Sequence, residues 1–269
     1  MKSQLFIVMM ASIIWYGHQT TVLASSDQPV EAFVQKIFLH GVPFNKAREL
    51  RSSANIKFLK SKLDKDCITP PIEQESPFCS NIIVTLGIIG GVDSDVVTTM
   101  KRYVEKQQKM LSLPHFRAKT SGVIALGYAI NKNPNNTARE IALDVLKAGL
   151  WKNDWDDVIG KQESGETASP LSKDELKDKL RRSSVIGLAL SGSKEGRVAL
   201  EQVLGKSETE KDPRFQALVI EALNTLNTII TLEKAGKNGL ACYYDSSACQ
   251  QDVLDPSNEK LQATIPTQG

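Results

Sequence analysis

Four stretches of the chain repeat one apolar pattern. Segments 81–91 (NIIVTLGIIGG), 121–130 (SGVIALGYAI), 183–192 (SSVIGLALSG) and 216–226 (QALVIEALNTL) each set branched apolar residues ahead of a leucine. These leucines are Leu86, Leu126, Leu188 and Leu223, and a small or turn-forming residue follows each of them. They lie 40, 62 and 35 positions apart. The first and last intervals are the length of one helical hairpin, and the middle one is a hairpin plus an insertion of about 25 residues. No comparable run alternates with period two, so a substantial sheet is not expected.

Each repeated segment leads through a turn into a second amphipathic helix. Asp93 is placed to cap a helix carrying Val96, Val97, Met100, Tyr103 and Val104 at the three-and-four spacing of one buried face. Thr137 with Glu140, and Ser172 with Glu175, read as capping boxes. Asp212 followed by Pro213 supplies a cap and a proline at the first helical position. Gly90-Gly91, Asn133-Pro134-Asn135, Gly192 and Gly205 punctuate the helices. The pattern predicts hairpins over 29–65, 78–111, 115–150, 173–206 and 213–235, with 151–172 as an insertion and 236–269 as a C-terminal tail. A single helical pair cannot bury its own apolar face, so adjacent pairs are expected to stack and fill the seam between them.

The phrases at 81–91 and 124–131, each followed by a polar turn and a helix such as 138–149 (AREIALDVLKAG), resemble HEAT-repeat proteins of the small exported bacterial kind. The resemblance covers roughly residues 29–235. It implies an all-α, right-handed solenoid of about five hairpins. It also implies a non-catalytic scaffold that docks a protein or peptide on its surface. Two alternatives stay open: an enzyme on such a scaffold, for which chromophore lyases are the family precedent, and a purely structural envelope component.

Composition narrows the compartment and the partners. Lys2 precedes an apolar run from Leu5 to Tyr16, and Val22-Leu23-Ala24 suits signal peptidase, so residues 1–24 are expected to be a leader cleaved after Ala24. The product is expected to be secreted or periplasmic, with no stable membrane insertion, since no later segment is expected to reach the roughly 20 apolar residues of a spanning helix. Beyond the leader 32 basic residues face 31 acidic ones, which argues against a nucleic-acid partner. The four cysteines form two local pairs, Cys67 with Cys79 and Cys242 with Cys249. Nearest-neighbour bridges are the economical pairing, with the two crossed connectivities still open, and each would contribute roughly 2 to 3 kcal/mol. Zinc fits poorly, because no C-x2-C spacing occurs. Neither a metal nor a cofactor is expected.

Candidate chemistry is sparse. His40 and His115 sit beside predicted helix ends and read as capping or surface residues, and no nucleophile, phosphate-loop or dinucleotide motif occurs. The insertion stands out: Trp151 and Trp155 fall four apart and would share a face on a helical turn, with Asp154, Asp156 and Asp157 among them. Two readings compete: tryptophans closing over the seam between hairpins with the acids facing water, or exposed tryptophans anchoring a partner. A calcium site at the acids is the weakest alternative, since the EF-hand pattern is absent. Lys57, Lys60, Lys62, Lys65, Arg48 and Arg51, and again Lys177, Lys179, Arg181 and Arg182, read as solvated helix faces, or else as a patch for an acidic partner or anionic lipid headgroups. The binding residues expected on this reading are Trp151, Trp155, Asp156 and Asp157, with Arg139, Lys147, Arg197 and Glu201 from second helices.

Overall fold

The computed structural model describes residues 28–38, 41–70, 75–107, 113–131, 133–159, 171–206 and 211–250. The expected leader, His40, positions 160–170 of the insertion and the tail beyond 250 lie outside them. Among the described residues the chain is all-helical. Three short helices open it: α1 (Gln28–Val34), α2 (Phe44–Glu49) and α3 (Ser53–Lys62), the last continued by a π turn over Leu63–Ile68. Three helical pairs follow. They are α4 (Cys79–Gly90) with α5 (Ser94–Glu105), α6 (Leu113–Ile130) with α7 (Asn136–Ala148), and α9 (Lys173–Leu190) with α10 (Lys194–Leu204). A 3-10 turn (Lys152–Trp155) and the single turn α8 (Asp156–Ile159) stand between the second and third pairs. The chain then runs through α11 (Pro213–Lys234), α12 (Gly239–Tyr244) and a 3-10 turn at Ser246–Gln250.

The starts of these helices follow from local chemistry. Asp93 accepts the Asp95 N–H, Ser172 and Glu175 form a reciprocal capping box, and Asp212 accepts the Phe215 N–H ahead of Pro213. One cap differs from expectation. Asn135, not Thr137, accepts the Ala138 N–H and opens α7. The same break couples neighbouring pairs: Asn133 donates to the carbonyls of Gly91 and Ala129, and Asn135 donates to Val92 O.

Packing proceeds in two rows. The first helices α4, α6, α9 and α11 lie successively against one another, and the second helices α5, α7 and α10 form a parallel row. Small residues let the first row close tightly. A methyl on Gly87 would sit 2.5 Å from Ala125 O, and one on Gly127 would collide with the Gly187 carbonyl. Leu86, Leu126 and Leu188 are fully buried in the resulting seam, each stabilising by about 1.5 to 3 kcal/mol. Leu223 is only half-buried, and Leu226 takes the fully buried position in α11.

Both ends depart from the hairpin pattern. The expected first hairpin is three short helices, and the expected fifth is one helix of 22 residues whose buried stripe is Phe215, Val219, Ala222, Leu226 and Ile229. By length and composition α11 could cross a membrane, contrary to the expectation that no later segment approaches that size. Its apolar stripe is explained here by packing on α9 and α10. The boundary drawn at 235 also moves, because α12 packs back on α11 and reaches α2. Cys67 is bonded to Cys79 and Cys242 to Cys249, the two local pairs, an arrangement compatible with an oxidising compartment.

Candidate functional site

The second helices α7 and α10 flank a groove of about 360 Å³. Glu195, Val198, Ala199 and Gln202 of α10 line one wall at the spacing of a single helical face, and Lys147, Leu150 and Trp151 line the other. Val198 is 50% exposed, an unusual state for a large apolar side chain in the middle of a helix. Trp151 beside it is half-buried. Apolar groups therefore form the floor, and Lys147 and Glu195 stand at the rim.

The two tryptophans part company. Trp151 has extended backbone angles (φ −111°, ψ 133°) and precedes the 3-10 turn, so it shares no helical face with Trp155. Trp155 is 2% exposed, and its indole N–H donates to Gly149 O at 2.9 Å. It cannot anchor a partner. Instead it props up the chain that presents Trp151. From below, Arg181 Nε donates to Leu150 O at 3.0 Å while its guanidinium stacks 3.5 Å over the Phe215 ring. The floor under Trp151 is thus held from two sides.

The remaining expected residues are dispersed. Asp156 is engaged within the chain: Lys177 at 2.5 Å, together with Lys173, holds its carboxyl below the usual carboxylate range. Asp157 is exposed and lines no part of the groove. Arg139 reaches Glu195 at 3.5 Å and ties α7 to α10 beside the rim. Arg197 donates to Asn227 and ties α10 to α11, and Glu201, one turn further along α10, is exposed. Among the expected binding residues, then, Lys147 and Trp151 meet in the groove. The charge runs also divide: Lys177 and Arg181 are buried, not solvated, Lys60 pairs with Asp95, and Lys62 with Glu31 and Asp66.

A second cluster has no counterpart in the sequence reading. Lys119 of α6 is fully buried, and its ammonium donates to the carbonyls of Tyr103, Val104 and Lys106 at 3.1, 2.9 and 2.6 Å. It thereby caps the C-terminal carbonyls of α5 from a neighbouring helix. Lys106 in turn donates to Cys67 O, Pro70 O and the Glu75 carboxylate at 3.3, 3.1 and 2.7 Å, tying the end of α5 to those three residues. His115, expected as a capping or surface residue, lies 3.8 Å from Glu75 with its side chain 16% exposed, which sets aside the surface reading. Burial lowers the Lys119 pKa to about 7 and pushes the Tyr103 phenol upward. The available signal was a lysine at the 119, 123, 126 and 130 spacing of the apolar stripe of α6.

Among the described residues, no group of three or more His, Cys, Asp or Glu side chains is arranged to hold a metal ion. Comparisons with protein-family models, with characterised proteins and with solved structures return no match.

Proposed function

We infer that this chain is an exported, non-catalytic docking module built as a right-handed HEAT-like solenoid, and that it binds a protein or peptide in the groove between α7 and α10. The observation that carries the reading is Trp151, half-buried beside the exposed Val198 on a platform secured by Trp155 and Arg181. Tryptophan in such a setting is the residue type that dominates binding hot spots, and a fixed platform lowers the ordering cost of association. The groove volume falls at the small end of ligand clefts, enough to seat anchoring side chains of a partner. Export is supported by the two disulfides together with the leader-like first 24 residues.

Site-specific crosslinking tests this. A photoreactive phenylalanine analogue replacing Val198, in protein made in its native host, is expected to yield a discrete adduct that Trp151→Ala abolishes. Loss of the indole should cost about 2 kcal/mol, roughly thirtyfold in affinity. The same analogue at exposed Thr98 on α5 is expected to give no such adduct. Identical adducts from both positions, or an adduct indifferent to Trp151, would overturn the assignment.

A further inference from the structure

The first-row helices carry a second apolar surface beside the seam between them, which it meets at Ile88 and Tyr128. Ile88 of α4, Ile124 and Tyr128 of α6, Ile186 and Leu190 of α9 and Ile229 of α11 form a strip crossing all four helices. A core satellite covers that strip: Phe44 from α2, and Leu240, Ala241 and Ala248 from the C-terminal segment. We propose that residues 236–250 are a redox-releasable cover, seated in cis on an apolar docking strip that accepts a short, leucine-bearing helical turn.

Three observations support a detachable element. First, the buried residues of this satellite cluster (Phe44, Leu190, Ile229, Leu240 and Ala241) are separate from those of the main core, which runs from Val30 to Leu226. Such a unit can open without unfolding the stack. Second, the attachment is short. α12 is a six-residue helix reached through Gly236 in the left-handed region (φ 75°), capped by Asn238 on the Ala241 N–H. Its seat is completed by Tyr244, whose ring stacks on Phe44 at 5.1 Å and whose hydroxyl lies 2.6 Å from that of Tyr128.

Third, the Cys242–Cys249 bond encloses Tyr244 in a closed ring and is the accessible disulfide of the two. Cys249 is half-buried, whereas Cys67 and Cys79 are 0% and 1% exposed. Thiol attack depends on access to a sulfur. A dithiol reductant would attack Cys249 Sγ through its thiolate, forming a mixed disulfide and releasing Cys242 as a thiolate that takes up a proton. Its second thiol then closes the reductant's own disulfide and frees Cys249 as a thiol. Two electrons pass to the protein and the reductant is oxidised.

Graded dithiothreitol on the full chain, with thiol trapping and peptide mapping, tests the order of opening. Cys242–Cys249 is expected to open first. At that point backbone hydrogen exchange across 239–244 should accelerate by about tenfold or more, and an apolar fluorescent dye should bind while far-UV helicity is retained. An oxidised synthetic peptide spanning 236–250 should then displace the dye. The Cys242→Ser, Cys249→Ser double variant should show the open behaviour without reductant. Simultaneous loss of both disulfides, unchanged exchange across 239–244 once the outer bond is open, or dye that the peptide does not displace would each overturn the proposal.

Discussion

Replacing Gly127 by alanine is expected to destabilise the protein by about 3 kcal/mol, an overpacking cost at the upper end of the usual range. The added methyl would lie within 2.8 Å of the Gly187 Cα and carbonyl carbon and closer still to its oxygen. All three are backbone atoms of α9, so no flexible side chain can move aside. Relief requires separating α6 from α9, and that loosens the seam holding Leu126 and Leu188. The gain in helix propensity from glycine to alanine, about 1 kcal/mol, is too small to compensate. Gly205 supplies the matched control: a methyl there meets nothing nearer than 3.9 Å, so Gly205→Ala should change stability by a few tenths of a kcal/mol. Urea midpoints at unchanged slope measure both. Equal effects from the two substitutions would mean that the first-row helices are not in backbone contact.

The second large effect is a dependence of stability on pH set by Lys119. Its pKa is depressed in the folded chain from the ordinary 10.5 to about 7. Between those values the unfolded chain holds a proton that the folded chain has released, so stability rises with pH across this window. Below pH 7 both states are protonated and the full cost of burying the charge is present. From pH 6 to pH 10 the rise should amount to about 4 kcal/mol. Burial holds the phenols of Tyr103, Tyr128 and Tyr244 above their usual value, which reverses the trend beyond pH 10, so the measurement belongs below it. Lys119→Met should flatten the profile. It strands three carbonyls, at about 1 to 3 kcal/mol for each left unsatisfied, but it also removes the cost of the buried charge. The variant should therefore come closest to the parent near pH 6 and fall furthest behind near pH 10. Parallel profiles for the two proteins would show that Lys119 does not titrate in this range.

The candidate site was legible in part. Trp151 stands out in the sequence because both tryptophans beyond the leader fall in the insertion, and Lys147 because it belongs to a second helix. The spacing of Trp151 and Trp155 suggested a shared face, but an extended residue before the 3-10 turn breaks the register, and the Gly149 carbonyl draws the second indole inward. Val198 gave no warning. An apolar residue in an amphipathic helix looks the same in sequence whether its neighbour covers it or stops short of it. Lys119 shows in the sequence only as a lysine on the apolar stripe of α6, because its partners are main-chain carbonyls, which carry no residue identity.

What the chain determines alone is local. Caps at Asp93, Ser172 and Asp212 and breaks at Gly90-Gly91 and Gly192 depend on interactions within about a dozen residues, which sequence spacing encodes directly. Spacing favours the two local cysteine pairs but leaves the crossed ones open, and the fold joins Cys67 to Cys79 and Cys242 to Cys249. What only the tertiary structure decided is which apolar surface meets which. α12 covers the strip on the first row, Arg181 is enclosed beneath Trp151, and a glycine of α6 meets a glycine of α9. Burial is not a property of a residue but of the neighbour that displaces its water, and that neighbour lies 30 to 100 or more positions away in this fold.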